Sequence, residues 1–361
     1  SVPVGSLMGI TMCKWWFRRR TSFKSLMAAL QVGTIVGNVL YALAGLMHFR
    51  YTLLASRFLI GLFNGYSLPS KYIGLTVGMK RRSEVILYYS ATNMLAFAAG
   101  PALAALLEYF IKSIRIHNLV LDSDTVPGWF MALVSSVFLV LLLLLFEDPP
   151  AEETVPMAGS GAPTGDRLPL AAMCAAFWHL CVSSAVLTVI EVYTVNLGQE
   201  HWGWSIAKTA WLLAGLMLCS GVANMSMGPL ARRFISSDRM GVLGCTLFGC
   251  FACTFLLDLG LPSFPVQVGV LSIGLMFVLT MAGMGRAFVL ALQSKLVPTS
   301  LKGRANDWSA VFMTIGRAAG SVIGAVLSPS TFGVVMLSLF ASSALVCAMS
   351  HSRMQPSEKA D

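Results

Sequence analysis

The stretch GWFMALVSSVFLVLLLLLF (128–146), followed directly by EDPPAEETVPMAGSGAPTGDR (147–167), decides the fold class of this chain. The first segment is a continuous apolar run close to the about 20 residues that one transmembrane helix needs. The second segment is rich in Pro, Gly, Ala and acidic residues, a composition typical of a flexible linker. A membrane-spanning helix is therefore expected to end where a polar linker begins.

The whole chain has the composition of a membrane protein. Of its 361 residues, 56% are hydrophobic and 11% are charged, whereas soluble domains carry about 25% charged residues. Residues 1–12 are apolar but too short to cross a bilayer, and we interpret them as the second half of a helix. Apolar runs predict ten complete spans, at 25–46, 52–76, 84–109, 128–146, 168–190, 206–228, 241–257, 266–290, 308–327 and 331–349.

The segments on either side of the linker repeat each other. Several residues match in the same order and at nearly one spacing, including Arg18 with Arg233, Lys71 with Lys295, Met94 with Met313 and Gly100 with Gly320. Two six-helix halves related by a parallel repeat are the architecture of the major facilitator fold, an all-α membrane fold with its substrate site near the midplane. The predicted regions are a truncated N-terminal half (1–146), a cytosolic linker (147–167), a C-terminal half (168–350) and a cytosolic tail (351–361).

Basic residues are concentrated in alternate loops. One set of loops holds Lys14 to Lys24, Lys80 to Arg82, Arg232 to Arg239, and Lys302 with Arg304, whereas the intervening loops hold only Arg50, Lys112 and Arg115. Positive residues mark cytosolic loops, so this first set is expected to face the cytosol. The net charge of +9 is thereby explained by membrane topology, and no nucleic-acid partner is expected.

Two short motifs resemble those of the major facilitator superfamily. Arg57, Gly61 and Gly65 form an RxxxGxxxG pattern similar to the fourth-helix motif, and Gly100-Pro101 resembles the fifth-helix motif. By this resemblance residues 1–12 correspond to helix 2, with helix 1 absent from the sequence. The implied activity is secondary transport by alternating access across a bilayer.

A narrower resemblance points to the SPX-domain-associated vacuolar phosphate transporters. It is carried by GLFNGYSLPSKYI (61–73), by Trp204 to Gly228 and by Ser294 to Arg317. The resemblance implies a vacuolar membrane and inorganic phosphate as the substrate. The chain departs from that family at Ser70, where the family has an arginine, and at Val311, where it has an acidic residue, and the sequence contains no SPX domain.

Charged residues within the spans are the candidate substrate ligands, because a charge at mid-membrane costs about 2.5–3.5 kcal/mol and normally faces a cavity or a partner. Arg317 is the leading candidate, since it lies centrally in its helix beside small residues. Arg57, Asn64 and Lys71 recur at helical spacing and are expected on one face. The full predicted substrate-binding set is Arg317, Arg57, Lys71, Tyr72, Asn64, Arg286 and Lys295.

Each basic candidate also has a structural alternative. Arg57 and Arg317 are compatible with buried ion pairs, and Lys71 with a side chain that extends to the interface. Arg286 and Lys295 are nine residues apart, so they point to opposite faces and cannot both line one cavity.

The remaining ionisable and thiol side chains indicate proton binding at most, and they predict neither a metal site nor an enzyme. Glu191 and Glu108 are candidates for binding a coupling proton, because burial disfavours the charged form of a carboxyl group. Cys250 and Cys253 form a CxxC without a second pair, so no metal site is predicted. No cofactor and no enzymatic activity are expected, since the spans contain no nucleophile–base cluster.

The alternative to a vacuolar phosphate carrier is a lysosomal-type relative. It would act as an anion channel or as a carrier of another organic solute. The membrane would be vacuolar or lysosomal, with the plasma membrane as the remaining option.

Overall fold

The computed structural model describes most of the chain. The described residues are 2–19, 22–46, 49–65, 67–110, 114–116, 119–121, 125–148, 170–234, 237–257, 263–298 and 301–354.

Helices make up nearly all of the described regular structure. A short antiparallel pair is the exception, formed by β1 (Ile114–Ile116) and β2 (Leu119–Leu121) with Arg115 opposite Val120. The helices are α1 (Val2–Arg19), α2 (Phe23–Ala42), α3 (Phe49–Leu62), α4 (Leu68–Thr76), α5 (Met79–Phe110), α6 (Val126–Leu145), α7 (Leu170–Asn196), α8 (Ile206–Phe234), α9 (Asp238–Cys253), α10 (Phe264–Leu296), α11 (Lys302–Val326) and α12 (Pro329–Ser350).

Nine of these helices, α2 and α5 to α12, are long and apolar enough to cross a membrane among the residues described. A helix satisfies all its backbone hydrogen bonds internally, which is what hydrocarbon requires of a spanning segment. The predicted all-α membrane fold is confirmed, and nine of the ten predicted spans fall on these helices.

The predicted span 52–76 is wrong as a single helix. It falls on α3 and α4, which are separated by residues 63–67. Asn64 and Gly65 are poor helix formers, and Pro69 lies in the first turn of α4, where its missing N–H is tolerated. The local sequence therefore ends one helix and begins another.

Helix α1 also differs from its prediction. The expected half helix at 1–12 is an 18-residue helix that continues to Arg19. The apolar run alone therefore underestimated its length, because the following segment KWWFRR contains residues that are compatible with a helix.

Prolines and a capping carboxylate fix several helix starts. Pro127, Pro265 and Pro329 lie in the first turns of α6, α10 and α12, where a proline is favoured. Before α2, the Ser22 hydroxyl donates a hydrogen bond to Asp148 at 2.6 Å. The negative charge of Asp148 also suits the positive end of the α2 dipole.

The described structure divides into two compact units, and the first consists of Ser1–Pro69 and Leu103–Ser160. In it, α2 packs against α3 and α6, and α1 packs against α3. At Gly61 an added Cβ would meet the carbonyl oxygen of Val2, so α1 and α3 approach through their backbones. The buried core is formed by Cys13, Leu26, Leu30 and Leu68.

The second unit consists of Ser70–Ala102 and Gly161–Asp361. In it α7 packs against α10, α11 and α12, and the rings of Tyr193 and Phe332 stack with centroids 3.8 Å apart. The predicted boundaries at 146, 167 and 350 stay predictions. Linker residues 149–169 and tail residues 355–361 lie outside the described part of the chain.

Candidate substrate cavity

Three predicted residues line one small cavity in the second unit. Arg317 on α11, Arg286 on α10 and Glu191 on α7 surround about 10 Å³ of free volume together with Phe97 of α5. The remaining lining residues are Ser184, Leu187 and Thr188, all on α7. We call this the inner cavity.

Close helix approaches position the arginines. At Gly316 and Gly320 an added Cβ would meet the carbonyl oxygens of Cys181 and Ala185, so α11 lies directly against α7 on both sides of Arg317. At Gly285 an added Cβ would lie 2.7 Å from Nε2 of His179. Small residues allow such contacts between membrane helices, and they bring both arginines to the α7 face that carries Glu191.

The inner cavity has an unequal charge balance. It contains two guanidinium groups, those of Arg317 and Arg286, and one carboxylate, that of Glu191. Arg286 is 4% exposed. Two cations against one anion leave a formal excess of one positive charge, which favours an anionic ligand.

An unpaired hydroxyl adds a polar group to this cavity. The Ser184 side chain is 1% exposed, and its Oγ has no hydrogen-bond partner among the described residues. Buried polar atoms are nearly always hydrogen-bonded in proteins. A ligand oxygen in the cavity would provide the missing partner.

Arg317 also contacts an aromatic ring. Its guanidinium carbon lies 5.4 Å from the centroid of the Phe97 ring, within the distance of a cation–π contact.

A second, more open cavity begins at the same residues. It has a volume of about 540 Å³ and shares Phe97, Glu191 and Arg317 with the inner cavity. We call it the outer cavity. Its other lining residues are Ala96, Gly100, Pro101, Val192, Val195, Asn196, Leu213 and Met217.

Lys71 lies away from these cavities in an ion pair. Its ammonium group binds the carboxylate of Asp307, near the start of α11. Lys71 is 4% exposed and Asp307 is partly buried, so an unpaired charge on Lys71 would be costly.

Lys295 likewise pairs with an aspartate. Its Nζ lies 2.6 Å from Asp238 Oδ2, and the Ser83 hydroxyl donates to the same oxygen at 3.2 Å. Nearby, buried Arg82 donates to the carbonyl oxygens of Val77 at 2.8 Å and Ser294 at 3.3 Å. Both repeat-related lysines, Lys71 and Lys295, therefore have acidic partners.

The remaining predicted ligands fall in different places. Arg57 is exposed, and its guanidinium carbon lies 4.6 Å from the Tyr41 ring centroid. Asn64 lies in the break between α3 and α4, and half-buried Tyr72 lies on α4. The expectation that Arg57, Asn64 and Lys71 share one helix face is wrong, because no single helix carries them.

Two further titratable residues, Glu108 and His179, are described to different extents. The side chain of Glu108 lies outside the described part of the chain. His179 is buried, its Nδ1 lies 2.8 Å from the Ser343 hydroxyl, and its Nε2 has no hydrogen-bond partner among the described residues.

Sequence reasoning missed the partners of these charges. Asp238 lies in the first turn of α9, where an acidic residue is usually explained by the helix dipole, and Asp307 lies in the second turn of α11. A signal was nevertheless present, since each lies in a basic segment of an otherwise charge-poor chain. Phe97 gave no signal, because a phenylalanine in an apolar span is indistinguishable from a packing residue.

This helical arrangement defines a multi-pass integral membrane protein with the major facilitator fold. The chain aligns with the human organic anion transporter MFSD10 (TETRAN) at a TM-score of 0.69 and 17% identity, covering 98% of this chain and 80% of that one. It aligns with the proton:xylose symporter XylE at a TM-score of 0.74 and 14% identity, covering 98% and 84%. No family model matches the chain.

The curated relatives are SPX domain-containing membrane proteins of plants. One from Arabidopsis thaliana is 35% identical over 138 residues, which are 38% of this chain and 19% of the relative. One from Oryza sativa subsp. japonica is 33% identical over 151 residues, or 41% and 21%. The match spans about a fifth of the length of these relatives, and the resemblance noted from the sequence is confirmed over that part.

Proposed function

We propose that the protein is a secondary carrier of a small anion, with inorganic phosphate as the first candidate, and that it works by alternating access. The observation that carries this proposal is the inner cavity, where Arg317 and Arg286 outnumber Glu191. Guanidinium groups bind oxyanion oxygens bidentately and replace their hydration. The Ser184 hydroxyl supplies a further donor for such an oxygen.

Phosphate is favoured over other anions by the sequence resemblance to vacuolar phosphate transporters. The same resemblance favours a vacuolar or lysosomal membrane over the plasma membrane.

The second candidate function is an anion channel or an organic-solute carrier of the lysosomal type, and the size of the outer cavity suits a larger solute. In neither case is the protein an enzyme.

Protons are the proposed coupling ion, with Glu191 as the group that binds them. The carboxylate lies in the same cavity as both arginines, so a proton on Glu191 would remove the negative charge that competes with the anion for Arg317. This arrangement predicts movement of anion and proton in the same direction.

The test is phosphate uptake by the full-length protein in liposomes. Arg317→Lys keeps the charge but loses the planar fork, and the two residues are not equivalent at a bidentate site. We expect initial uptake to fall by roughly tenfold or more, since a hydrogen bond to a charged group contributes about 1.5–3 kcal/mol. Arg317→Ala is expected to be slower still.

Arg304→Lys is the matched control, because Arg304 lies on the same helix but is exposed. Rates are normalised to reconstituted protein. Normal rate and affinity in Arg317→Ala would show that Arg317 does not bind substrate. Uptake of cations or neutral sugars without competition by anions would contradict the anion proposal itself.

A further inference from the structure

The inner and outer cavities meet at one aromatic side chain. Phe97 lines both, together with Arg317 and Glu191. Arg286, Ser184 and Thr188 line the inner cavity but not the outer one. A solute in the outer cavity therefore touches Arg317 first and reaches Arg286 only past the shared residues.

Phe97 and Arg317, which line both cavities, also contact each other. The guanidinium lies over the ring at 5.4 Å, and such a contact is stronger when it is desolvated. The geometry couples two events, because an anion that draws the guanidinium towards itself weakens its contact with the ring. The side chain of Phe97 is only partly buried, so it has room to change its rotamer.

We propose that Phe97 is a movable partition between the two cavities and that it determines which anions reach Arg286. Its ring closes the inner cavity while it stacks on Arg317, and it opens when Arg317 turns to a bound anion. The role as an anion filter rests on the proposed function. The partition itself is a property of the side chains and does not depend on transport.

Thiol labelling tests the partition directly. In the full-length protein with all its native cysteines replaced, including the eight of this chain, Thr188→Cys reports on the inner cavity. Val195→Cys, on the same helix, reports on the outer cavity. Each is reacted with a negatively charged methanethiosulfonate reagent, and the second-order rate is measured. We expect Thr188→Cys to react more slowly than Val195→Cys in the parent.

Phe97→Ala is expected to raise the labelling rate of Thr188→Cys by about tenfold. Loss of one desolvated cation–π contact shifts an equilibrium by about this factor. The rate at Val195→Cys should not change, which also reports that the fold is intact. Phe97→Tyr keeps an aromatic ring, so labelling of Thr188→Cys should remain slow in this variant. Phe97→Leu replaces the alanine variant if the latter does not reach the membrane.

Two outcomes would overturn the partition. One is a parent in which Thr188→Cys reacts as fast as Val195→Cys, and the other is an unchanged Thr188→Cys rate when the ring is removed. A third result separates the two proposals. If Phe97→Ala accelerates the slow labelling of Thr188→Cys but the protein moves no anion, the proposed function is refuted and the partition is retained. With transport established, Phe97→Ala should also lower the preference for phosphate over a larger anion such as pyrophosphate.

Discussion

Acidic neighbours separate the basic residues of the spans into two groups. Lys71 and Lys295 each have an aspartate of their own, Asp307 and Asp238, and their charges are thereby compensated. Arg317 and Arg286 instead line one cavity together with Glu191. An incoming anion and the Glu191 carboxylate therefore compete for the same two guanidinium groups.

This competition predicts the behaviour of Glu191→Gln, which imitates the protonated side chain. The variant should still exchange phosphate across the liposome membrane, because the arginines remain available. It should lose the accumulation that a pH gradient drives in the parent, because no proton moves with the anion. The measurements are exchange at equal phosphate concentrations and net uptake with an acidic exterior.

Glu200→Gln serves as the control, since Glu200 is exposed and lies shortly after Glu191 along the chain. Retained pH-driven accumulation in Glu191→Gln would remove Glu191 from the coupling mechanism. Loss of exchange as well would assign it a structural role in holding the arginines.

At the scale of helices, the contact between α7 and α11 positions the cavity. Gly316, Gly320 and Gly324 recur every four residues, and a Cβ at each would meet a carbonyl oxygen of α7. This is the small-residue spacing that allows close packing in membranes. Because Arg317 lies between the first two glycines, the same spacing determines its distance from Glu191.

A larger residue at Gly320 should separate these helices. We expect Gly320→Val to lower the Tm of the detergent-solubilised protein, since overpacking a well-packed contact costs about 1–3 kcal/mol. Ala319→Val is the matched control, because Ala319 is exposed on the same helix. Equal Tm values for the two variants, measured by tryptophan fluorescence, would contradict the backbone contact.

The sequence predicted the helices far better than their interruptions. Long apolar runs such as 128–146 dictate a helix because hydrocarbon leaves no alternative. The break at 63–67 depends on a balance of weak local preferences around Asn64 and Gly65, which hydropathy does not register. Likewise Arg317 was found by its isolated charge, whereas Phe97 becomes recognisable only through the cavities it lines.

At the scale of the molecule, the apolar helices and the alternating basic loops together define a membrane topology. Nine of the ten predicted spans fall on described helices, but their orientation rests on charge alone. Positive residues are retained on the cytosolic side during insertion. Lys14 on α1 and Glu147 after α6 belong to segments predicted on that side, whereas Ser205 lies in the connection predicted on the other.

Orientation is tested with single cysteines at Lys14, Glu147 and Ser205, all of which are exposed. In sealed organelles or inside-out plasma-membrane vesicles, both of which expose the cytosolic face, an impermeant maleimide should label Lys14→Cys and Glu147→Cys without permeabilisation. Ser205→Cys should react only after the membrane is permeabilised, because the bilayer separates it from the reagent. Labelling of Ser205→Cys alone in intact membranes would reverse the topology. It would place the basic loops in the lumen or outside the cell, and charge would then not have determined the insertion of this protein.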